Sequence, residues 1–148
     1  MLLNKQTKAV GYIKVNNIKQ EKEGIPLIEK EREIVEYCKK NNINLIKIYI
    51  DEGISEQDIE GRNAFKEMLD YVINNDVDTI ISFKLSRFTR NIKDFANTTD
   101  LLEKNNKSLI FIEDGIDTKS DVGKLMRYVV GAVAEMELKN NSTFKKEG

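Results

Sequence analysis

Along most of the chain, segments in which hydrophobic residues have the period of a strand alternate with segments in which they have the period of a helix. Short apolar runs rich in β-branched and aromatic residues predict strands, and apolar residues at three-and-four spacing predict amphipathic helices between them. The predicted strands are residues 9–15, 45–50, 77–83 and 108–112. The predicted helices are residues 26–41, 65–74 and 92–102. Because strand and helix alternate, we expect an α/β fold with a mostly parallel, four- to five-stranded sheet and helices on both faces.

The last predicted helix differs from the others in its length. Apolar residues hold helical spacing from Ser120, an expected N-cap, to about Lys139, and the predicted helix covers about residues 120–145. At about 1.5 Å per residue, about 25 residues span about 38 Å, which is more than a domain of this size needs to cover its sheet. We expect the excess to project and to bind a partner through the segment Val122 to Lys139.

The composition limits the class of protein. A chain of 148 residues fits one domain, so residues 1–148 are expected to form a single unit. Charged residues make up 33% and nearly balance to a net charge of −1, which argues against a surface that binds nucleic acid everywhere. The sequence has one cysteine, Cys38, expected to be a buried thiol, and no apolar run near 18 residues. We therefore expect a cytoplasmic protein that does not enter a membrane.

Histidine is absent from the sequence, which excludes Ser-His and Cys-His catalysis and most transition-metal sites. There is also no glycine-rich run of the dinucleotide-binding or Walker type. We expect neither a cofactor nor a metal ion. Carboxylate, lysine, arginine, tyrosine and hydroxyl groups remain for any chemistry.

Three basic residues recur at a spacing of three where a predicted strand gives way to a helix. They are Lys84, Arg87 and Arg90. A helix N-terminus beside guanidinium groups is a suitable phosphate site. A solvated basic face is the alternative interpretation of the same spacing.

The segment GYIKVNNIKQ, residues 11–20, resembles the opening of the serine site-specific recombinases, the resolvase and invertase family, whose first strand typically reads Y-x-R-V-S-T-x-x-Q. The resemblance places Lys14 at the arginine position, Asn16 at the nucleophilic serine and Gln20 at the glutamine. In that family the serine attacks a DNA phosphate and forms a 5′-phosphoserine, and the reaction uses no metal. The resemblance thus implies DNA as the partner and a departure at the nucleophile.

Two further segments, both at the expected phosphate site, also resemble the family. Arg87 and Arg90 fall on the two phosphate-binding arginines of the family's K-x-D-R-x-x-R, with Ser86 at the position of the aspartate. Asp51 and Arg62 match the family's D-x-G-x-S-G segment and its downstream arginine, which implies a supporting carboxylate and another phosphate ligand. The alternative from the residues alone is that Asp51 belongs to a turn and Arg62 is a solvated charge.

The resemblance continues to the end of the chain. Residues 111–118 and 123–126 resemble a strand end and helix start of the family, and residues 132–137 resemble its A-x-A-E-x-E. Glu137 matches a carboxylate that works with the active site and the subunit interface. The resemblance implies a resolvase-like fold that forms a homodimer or tetramer through its long helix. Family members continue into a DNA-binding domain, which we expect to be absent from this chain.

The carboxamide of Asn16 has no usable nucleophilicity, so the resemblance implies a site that holds a DNA phosphate but is impaired in strand cleavage. Three interpretations stay open. The first is a recombinase-like domain without cleavage activity, which is either a regulatory partner of an active recombinase subunit or a decaying mobile-element copy. The second is an active recombinase in which Asn16 is an introduced change or in which Ser55 or Ser86 substitutes. The third is an unrelated α/β module that binds a small phosphate compound or a protein.

Overall fold

A computed structural model of the chain describes residues 5–15, 27–52, 63–88, 92–120, 123–124, 128–129, 131–133 and 136. The strands are β1 (Thr7–Val15), β2 (Ile43–Glu52), β3 (Thr79–Ser82), β4 (Ser108–Phe111) and β5 (Ile116–Asp117). The helices between them are α1 (Leu27–Lys40), α2 (Asn63–Asn74), α3 (Leu85–Phe88) and α4 (Ile92–Lys104). None of the helices described is both long enough and apolar enough to cross a membrane.

The strands form one sheet in the order β2-β1-β3-β4-β5. The first four strands are parallel, and β5 is antiparallel to β4. The expected α/β fold with a mostly parallel sheet is confirmed. The two-residue β5 and the four-residue α3 were not predicted, because elements this short contain too few residues to show a hydrophobic period.

Helices cover both faces of the sheet, as expected. Helix α1 packs on one face through Ile34 and Cys38, while α2, α3 and α4 pack on the other. Ile28, which the helical spacing placed in the apolar stripe of α1, is 66% exposed, so that assignment was wrong. Leu27, which was predicted in the same stripe, does pack against the sheet, and consecutive residues of a helix point about 100° apart.

Cys38 lies in the core between α1 and the sheet, so its prediction as a buried thiol is confirmed. Burial raises the pKa of this thiol above its ordinary value. The thiolate is the reactive form of cysteine, and the raised pKa therefore disfavours modification of Cys38 in the folded chain.

A β-bulge divides β2. Ala9 of β1 is in register with Leu45, but the next residue, Val10, is in register with Lys47, so that Ile46 is an extra residue on β2. Leu45 and Ile48 consequently lie on the same face of the sheet, against α1. Without the extra residue, every side chain after position 46 would point to the opposite face.

The C-terminal segment begins with the predicted cap. The hydroxyl of Ser120 accepts a hydrogen bond from the Gly123 amide at 3.0 Å, and the backbone is helical at residues 123–124, 128–129, 131–133 and 136. Val129, Val133 and Met136, three of the apolar positions predicted for this helix, are exposed. The other positions of the predicted stripe, and the predicted end near residue 145, lie outside the described residues.

Gly123 fits its place only because it lacks a side chain. A Cβ atom there would overlap the Asp117 carbonyl oxygen and would lie 2.8 Å from the Cα of Thr118. We expect Gly123→Ala to lower the free energy of unfolding by about 1–3 kcal/mol, because the start of the helix must move away from β5. Urea denaturation measures this change.

Gly131 provides the matched control for that substitution. It lies in helical backbone, and no atom lies within 4 Å of the position that its Cβ would occupy. Gly131→Ala should raise the free energy of unfolding by about 0.5–1 kcal/mol, since alanine loses less conformational entropy in a helix. If the two alanine substitutions changed the free energy of unfolding equally, the close contact between Gly123 and the backbone of residues 117–118 would be refuted.

An ion cluster at the amino ends of the strands predicts a dependence of stability on pH. The Nζ atoms of Lys5 and Lys8 lie 2.8 and 3.0 Å from Oδ2 of Asp76. Hydrogen bonds from these ammonium groups, that from Lys5 first, lower the pKa of Asp76 from 3.8 to about 2. Because the folded chain binds this proton less tightly than the unfolded chain, the stabilisation is present above the ordinary pKa and is lost as the pH falls towards about 2.

The acid-unfolding profile of Asp76→Asn checks this prediction. The unaltered chain should lose stability relative to the variant as the pH falls from about 4 to about 2. Lys5→Gln removes one of the two ammonium groups that bind Asp76, so the stability of this variant should fall less steeply with pH than that of the unaltered chain. Parallel profiles for the unaltered chain and Asp76→Asn would contradict it.

Candidate phosphate site at the carboxyl edge of the sheet

The carboxyl ends of β1 and β3 separate from each other at the centre of the sheet. The β1–β2 register continues to Val15 and Glu52, whereas the β1–β3 register ends at Gly11 and Ile81. Just beyond that point the hydroxyl of Ser82 donates to the carbonyl oxygen of β1 residue 12 at 2.8 Å. From β1 the chain continues to β2 on one side and then to β3 on the other, which makes the carboxyl ends of β1 and β3 a switch point. Open α/β sheets bind ligands in the crevice outside such a switch point, and we refer to this place as the crevice.

Lys14 lies at this edge beside a carboxylate. It is the last residue but one of β1, is only 8% exposed, and is in register with Asp51 of β2. Side chains of residues in register on adjacent strands project on the same side of the sheet. The structure thus brings together two of the predicted site residues, a cation and an anion, on the face covered by α2, α3 and α4.

Asp51 is buried and has three hydrogen-bond donors. Its Oδ1 accepts from the Ala64 amide at 2.9 Å, and its Oδ2 accepts from the Phe65 amide at 3.1 Å and from the Tyr12 hydroxyl at 2.7 Å. Asp51 therefore caps the N-terminus of α2 from a neighbouring strand, where a carboxylate also interacts favourably with the helix dipole. It is not a solvated turn residue, so that alternative is wrong for Asp51.

On the other side of the crevice, a second carboxylate holds the start of α3. Asp114 follows β4, and its Oδ2 accepts a hydrogen bond from the Leu85 amide at 2.7 Å. Lys84, immediately before α3, lies 3.8 Å from the carboxylate of Glu113. Helix α3 carries Arg87. The sequence analysis did not predict this contact, because Leu85 and Asp114 are 29 positions apart.

A layer of aromatic rings lies beneath the start of α2 and the end of α3. Tyr12 packs edge-to-face against Phe65 of α2 at 5.2 Å and Phe88 of α3 at 5.8 Å between ring centroids. Phe65 and Phe88 are 5.2 Å apart, and Phe88 also packs on Phe111 of β4 at 5.3 Å. Such pairs stabilise by about 0.5–1.5 kcal/mol beyond the area they bury. The layer joins β1, β4, the start of α2 and the end of α3 in one packed unit.

The structure describes part of the predicted site. Lys14 and Asp51 adjoin each other, and Arg87 lies in α3 across the crevice. The remaining predicted site residues lie outside the described residues: Asn16, Gln20, Arg62, Arg90 and Glu137. In the sequence, Asn16 directly follows β1 and Arg62 directly precedes α2.

In the part of the chain that the structure describes, no three Asp, Glu or Cys side chains are grouped so that they could hold a metal ion. Lys14 carries a positive charge at this edge of the sheet, and Arg87 lies in the backbone of α3.

Comparisons with known proteins identify one protein family. The family model described as "Resolvase, N terminal domain" matches residues 9–148. DNA-invertase hin of Salmonella typhimurium (strain LT2) is 31% identical over 128 residues, which cover 86% of this chain and 60% of that protein's length.

Two solved structures are similar over nearly their whole length. The N-terminal catalytic domain of TP901-1 integrase is 26% identical with a TM-score of 0.83, covering 91% of this chain and 99% of that one. A resolvase family site-specific recombinase from Streptococcus pneumoniae is 33% identical with a TM-score of 0.80, covering 97% of this chain and 95% of that one.

Proposed function

Because the chain belongs to the resolvase N-terminal domain family, we propose that residues 1–148 are the catalytic-type domain of a serine-recombinase-like protein of site-specific DNA recombination. The observation that carries the proposal is the crevice at the switch point, with Lys14 and Asp51 in register on one side and the arginine-bearing α3 on the other. The ligand of this crevice is a DNA phosphate. Lys14, Arg62, Arg87 and Arg90 supply the positive charge.

The same site is impaired in cutting the strand. Asn16 follows β1 at the position where the family has its nucleophilic serine, and a carboxamide nitrogen is delocalised and does not attack phosphate. Lys14 keeps the positive charge of the family's arginine but lacks its bidentate geometry, so it attracts a phosphate and aligns it less well. The domain holds DNA without forming a covalent bond to it, as a regulatory subunit or a decayed mobile-element copy would.

The exposed apolar residues of the C-terminal segment point to a protein partner. Tyr128, Val129 and Met136 are each more than half exposed, and Val133 lies one helical turn from Val129. Apolar residues at this spacing form a stripe that a second helix covers. The partner is a second copy of this chain or an active recombinase subunit, bound through Val122 to Lys139.

DNA binding by single arginine variants tests the proposed function. Fluorescence anisotropy with a short labelled duplex should show weak binding by the unaltered chain that falls steeply with salt. Arg62→Ala, Arg87→Ala and Arg90→Ala should each weaken binding and reduce the slope of log K against log salt by about 1. Lys39→Ala, which removes a charge from the far end of α1, should change neither quantity.

Two results would refute the proposal. If the arginine variants bind DNA as tightly as the unaltered chain does, DNA phosphate is not the ligand of the crevice, and the interpretation as a protein-binding module is favoured. A covalent adduct between DNA and the unaltered chain would show that cleavage is intact and that another hydroxyl, such as that of Ser55 or Ser86, substitutes for the nucleophile.

A further inference from the structure

The sheet divides into two halves at its carboxyl edge. Beyond the register pair of Gly11 and Ile81, β1 continues beside β2 as far as Val15, whereas β3 continues beside β4. The Ile112 amide donates to the carbonyl oxygen of Ser82 at 2.9 Å and so keeps the end of β3 on the β4 side. The crevice is the gap between these halves, so its width depends on the groups that join them.

The hydroxyl of Ser82 joins the two halves. The Ser82 side chain is buried, and its hydroxyl donates to the carbonyl oxygen of Tyr12 at 2.8 Å, directly beyond the last β1–β3 register pair. The rings of Tyr12 and Phe88 also meet across the gap. Ring pairs are favourable over centroid distances of about 4.5–7 Å, whereas a hydrogen bond between two oxygens needs about 2.5–3.0 Å. The Ser82 bond therefore restricts the separation of the halves more narrowly than the ring contact does.

Each half carries a lysine two residues beyond this bond. Lys14 follows Tyr12 by two positions on β1, and Lys84 follows Ser82 by two positions on the other half. The Lys84 side chain is 54% exposed, and its contact with the Glu113 carboxylate, at 3.8 Å, is long. Two cations held on separate backbones contact neighbouring phosphates together only where their separation is fixed at the right value.

Thr79 lies three residues before Ser82 on β3 and shows what the Ser82 hydroxyl does. Both side chains are buried, but among the described residues Oγ1 of Thr79 has no hydrogen-bond partner. A buried hydroxyl without a partner is unfavourable, so removing that of Thr79 costs no bond. Thr79 is in register with Ala9, where β1 and β3 are still paired. One strand thus carries a buried hydroxyl that bonds across the gap and a second that does not.

We infer that Ser82 is a positioning residue, which sets the spacing of Lys14 and Lys84 across the crevice through its hydrogen bond to the Tyr12 carbonyl oxygen. This inference rests on the proposed function, since it concerns how the two halves of the site meet the phosphates of one DNA duplex. It assigns to Ser82 no contact with DNA and no part in bond making, because its hydroxyl is buried and already donates.

A distance measurement between spin labels tests the spacing without DNA. Glu52→Cys at the end of β2 and Glu113→Cys after β4 replace exposed residues on opposite halves of the sheet. Cys38 is buried and its pKa is raised, so it should not take up the label. Double electron–electron resonance should give a broader distance distribution for Ser82→Ala than for the chain that keeps Ser82. Thr79→Val, which removes the unbonded hydroxyl, should leave the distribution unchanged.

A double-mutant cycle in the chain without labels tests the effect on DNA. The probe is a fluorescein-labelled duplex of mixed sequence at low salt, with affinity measured by anisotropy at a temperature where every variant is folded. Ser82→Ala should weaken binding about two- to tenfold, and Thr79→Val should leave it unchanged. In the Lys84→Gln background, Ser82→Ala should change affinity less than about twofold, because one of the two cations whose spacing it sets is gone. Lys84 is exposed, so this background should fold.

The outcomes distinguish the inference from the function it rests on. A distance distribution that Ser82→Ala leaves unchanged would overturn the inference alone, whatever the affinities are. A broader distribution with equal losses of affinity in both backgrounds would overturn the role of Ser82 in spacing Lys84. If the unaltered chain did not bind the duplex at all, the proposed function would fail, and the inference would fail with it even where the labels showed the broader distribution.

Discussion

Replacing Asn16 by serine is expected to produce a covalent protein–DNA adduct that the unaltered chain does not form. The new hydroxyl would directly follow β1, at the carboxyl edge that also carries Lys14 and Asp51. Serine oxygen is a competent nucleophile for a phosphate that positive groups hold and neutralise, whereas a carboxamide is not. The variant therefore tests whether the site has lost only its nucleophile.

The expected change is the largest of any substitution in this chain. Loss of the nucleophile in a covalent enzyme lowers the rate by about 10⁶-fold, which sets the upper limit of what Asn16→Ser restores. Lys14 lacks the bidentate geometry of arginine, and the resemblance places Ser86 at the position of the family's aspartate, so we expect a gain below that limit. Denaturing gels with supercoiled and nicked DNA that carries the junction sequences flanking the coding region would measure the adduct.

The adjacent residue offers a matched control. Asn17→Ser makes the same chemical change one position later and should give no adduct, and Asn16→Ala should likewise give none. An adduct with all of these variants would identify a different hydroxyl as the nucleophile. No adduct with Asn16→Ser on DNA that the protein binds would show that phosphate alignment, in addition to the nucleophile, has been lost.

Asp51→Ala is expected to destabilise the fold by about 3 kcal/mol or more, because α2 loses its cap and three hydrogen-bond donors are left without an acceptor. The Tyr12 hydroxyl and the Ala64 and Phe65 amides would each lose their acceptor in a buried region. Domains are stable by only about 5–15 kcal/mol, so this loss is a large share of the total. Urea denaturation and the melting temperature, which should fall by about 6–12 °C, measure it.

Glu52 provides the control for this loss, since it is the next residue of β2 and its side chain is exposed. Glu52→Ala should change the free energy of unfolding by no more than about 0.5 kcal/mol. Asp51→Asn should lie between the two, because an amide keeps one acceptor oxygen but turns its NH₂ group towards a donor. Similar unfolding curves for Asp51→Ala and Glu52→Ala would contradict the capping role.

Most of the fold could be predicted from the sequence because its elements are long enough to show their periods. The strand expected at residues 9–15 is Thr7–Val15, and the helix expected to end at the Asn41-Asn42 pair ends at Lys40. Asn42 has a positive φ of 54°, a conformation that asparagine tolerates better than most residues, which explains why the pair ends the helix.

The face on which each residue of β2 lies could not be predicted. Strict alternation places Leu45 with Tyr49 and Asp51, whereas the bulge at Ile46 places Leu45 with Ile48 against α1. Tyr49 and Asp51 then face α2, where the carboxylate reaches its amide donors. A bulge depends on how two strands pair in space, and no local pattern in the sequence records it.

Residues of the candidate site could be predicted where a sequence motif marks them, but contacts between segments that are distant in the sequence were missed. Lys14 and Asp51 were expected in the site from the family resemblance, and the structure places them in register on adjacent strands. Asp114 contacts Leu85, which is 29 positions away in the sequence. The Tyr12 ring belongs to an aromatic layer that extends to Phe111, 99 positions away. Such contacts follow from the assembled sheet and not from spacing along the chain.

The bulge at Ile46 also bears on solubility. β2 is an outer strand of the sheet, ten residues long and rich in isoleucine, which is the kind of edge on which chains aggregate by adding strands to one another. An extra residue in its middle twists the edge and interrupts the regular row of amide and carbonyl groups that an incoming strand would pair with. At the other edge β5 has only two residues and offers little to pair with. Neither edge of the described sheet therefore offers an incoming strand a long, regular row of unpaired backbone groups.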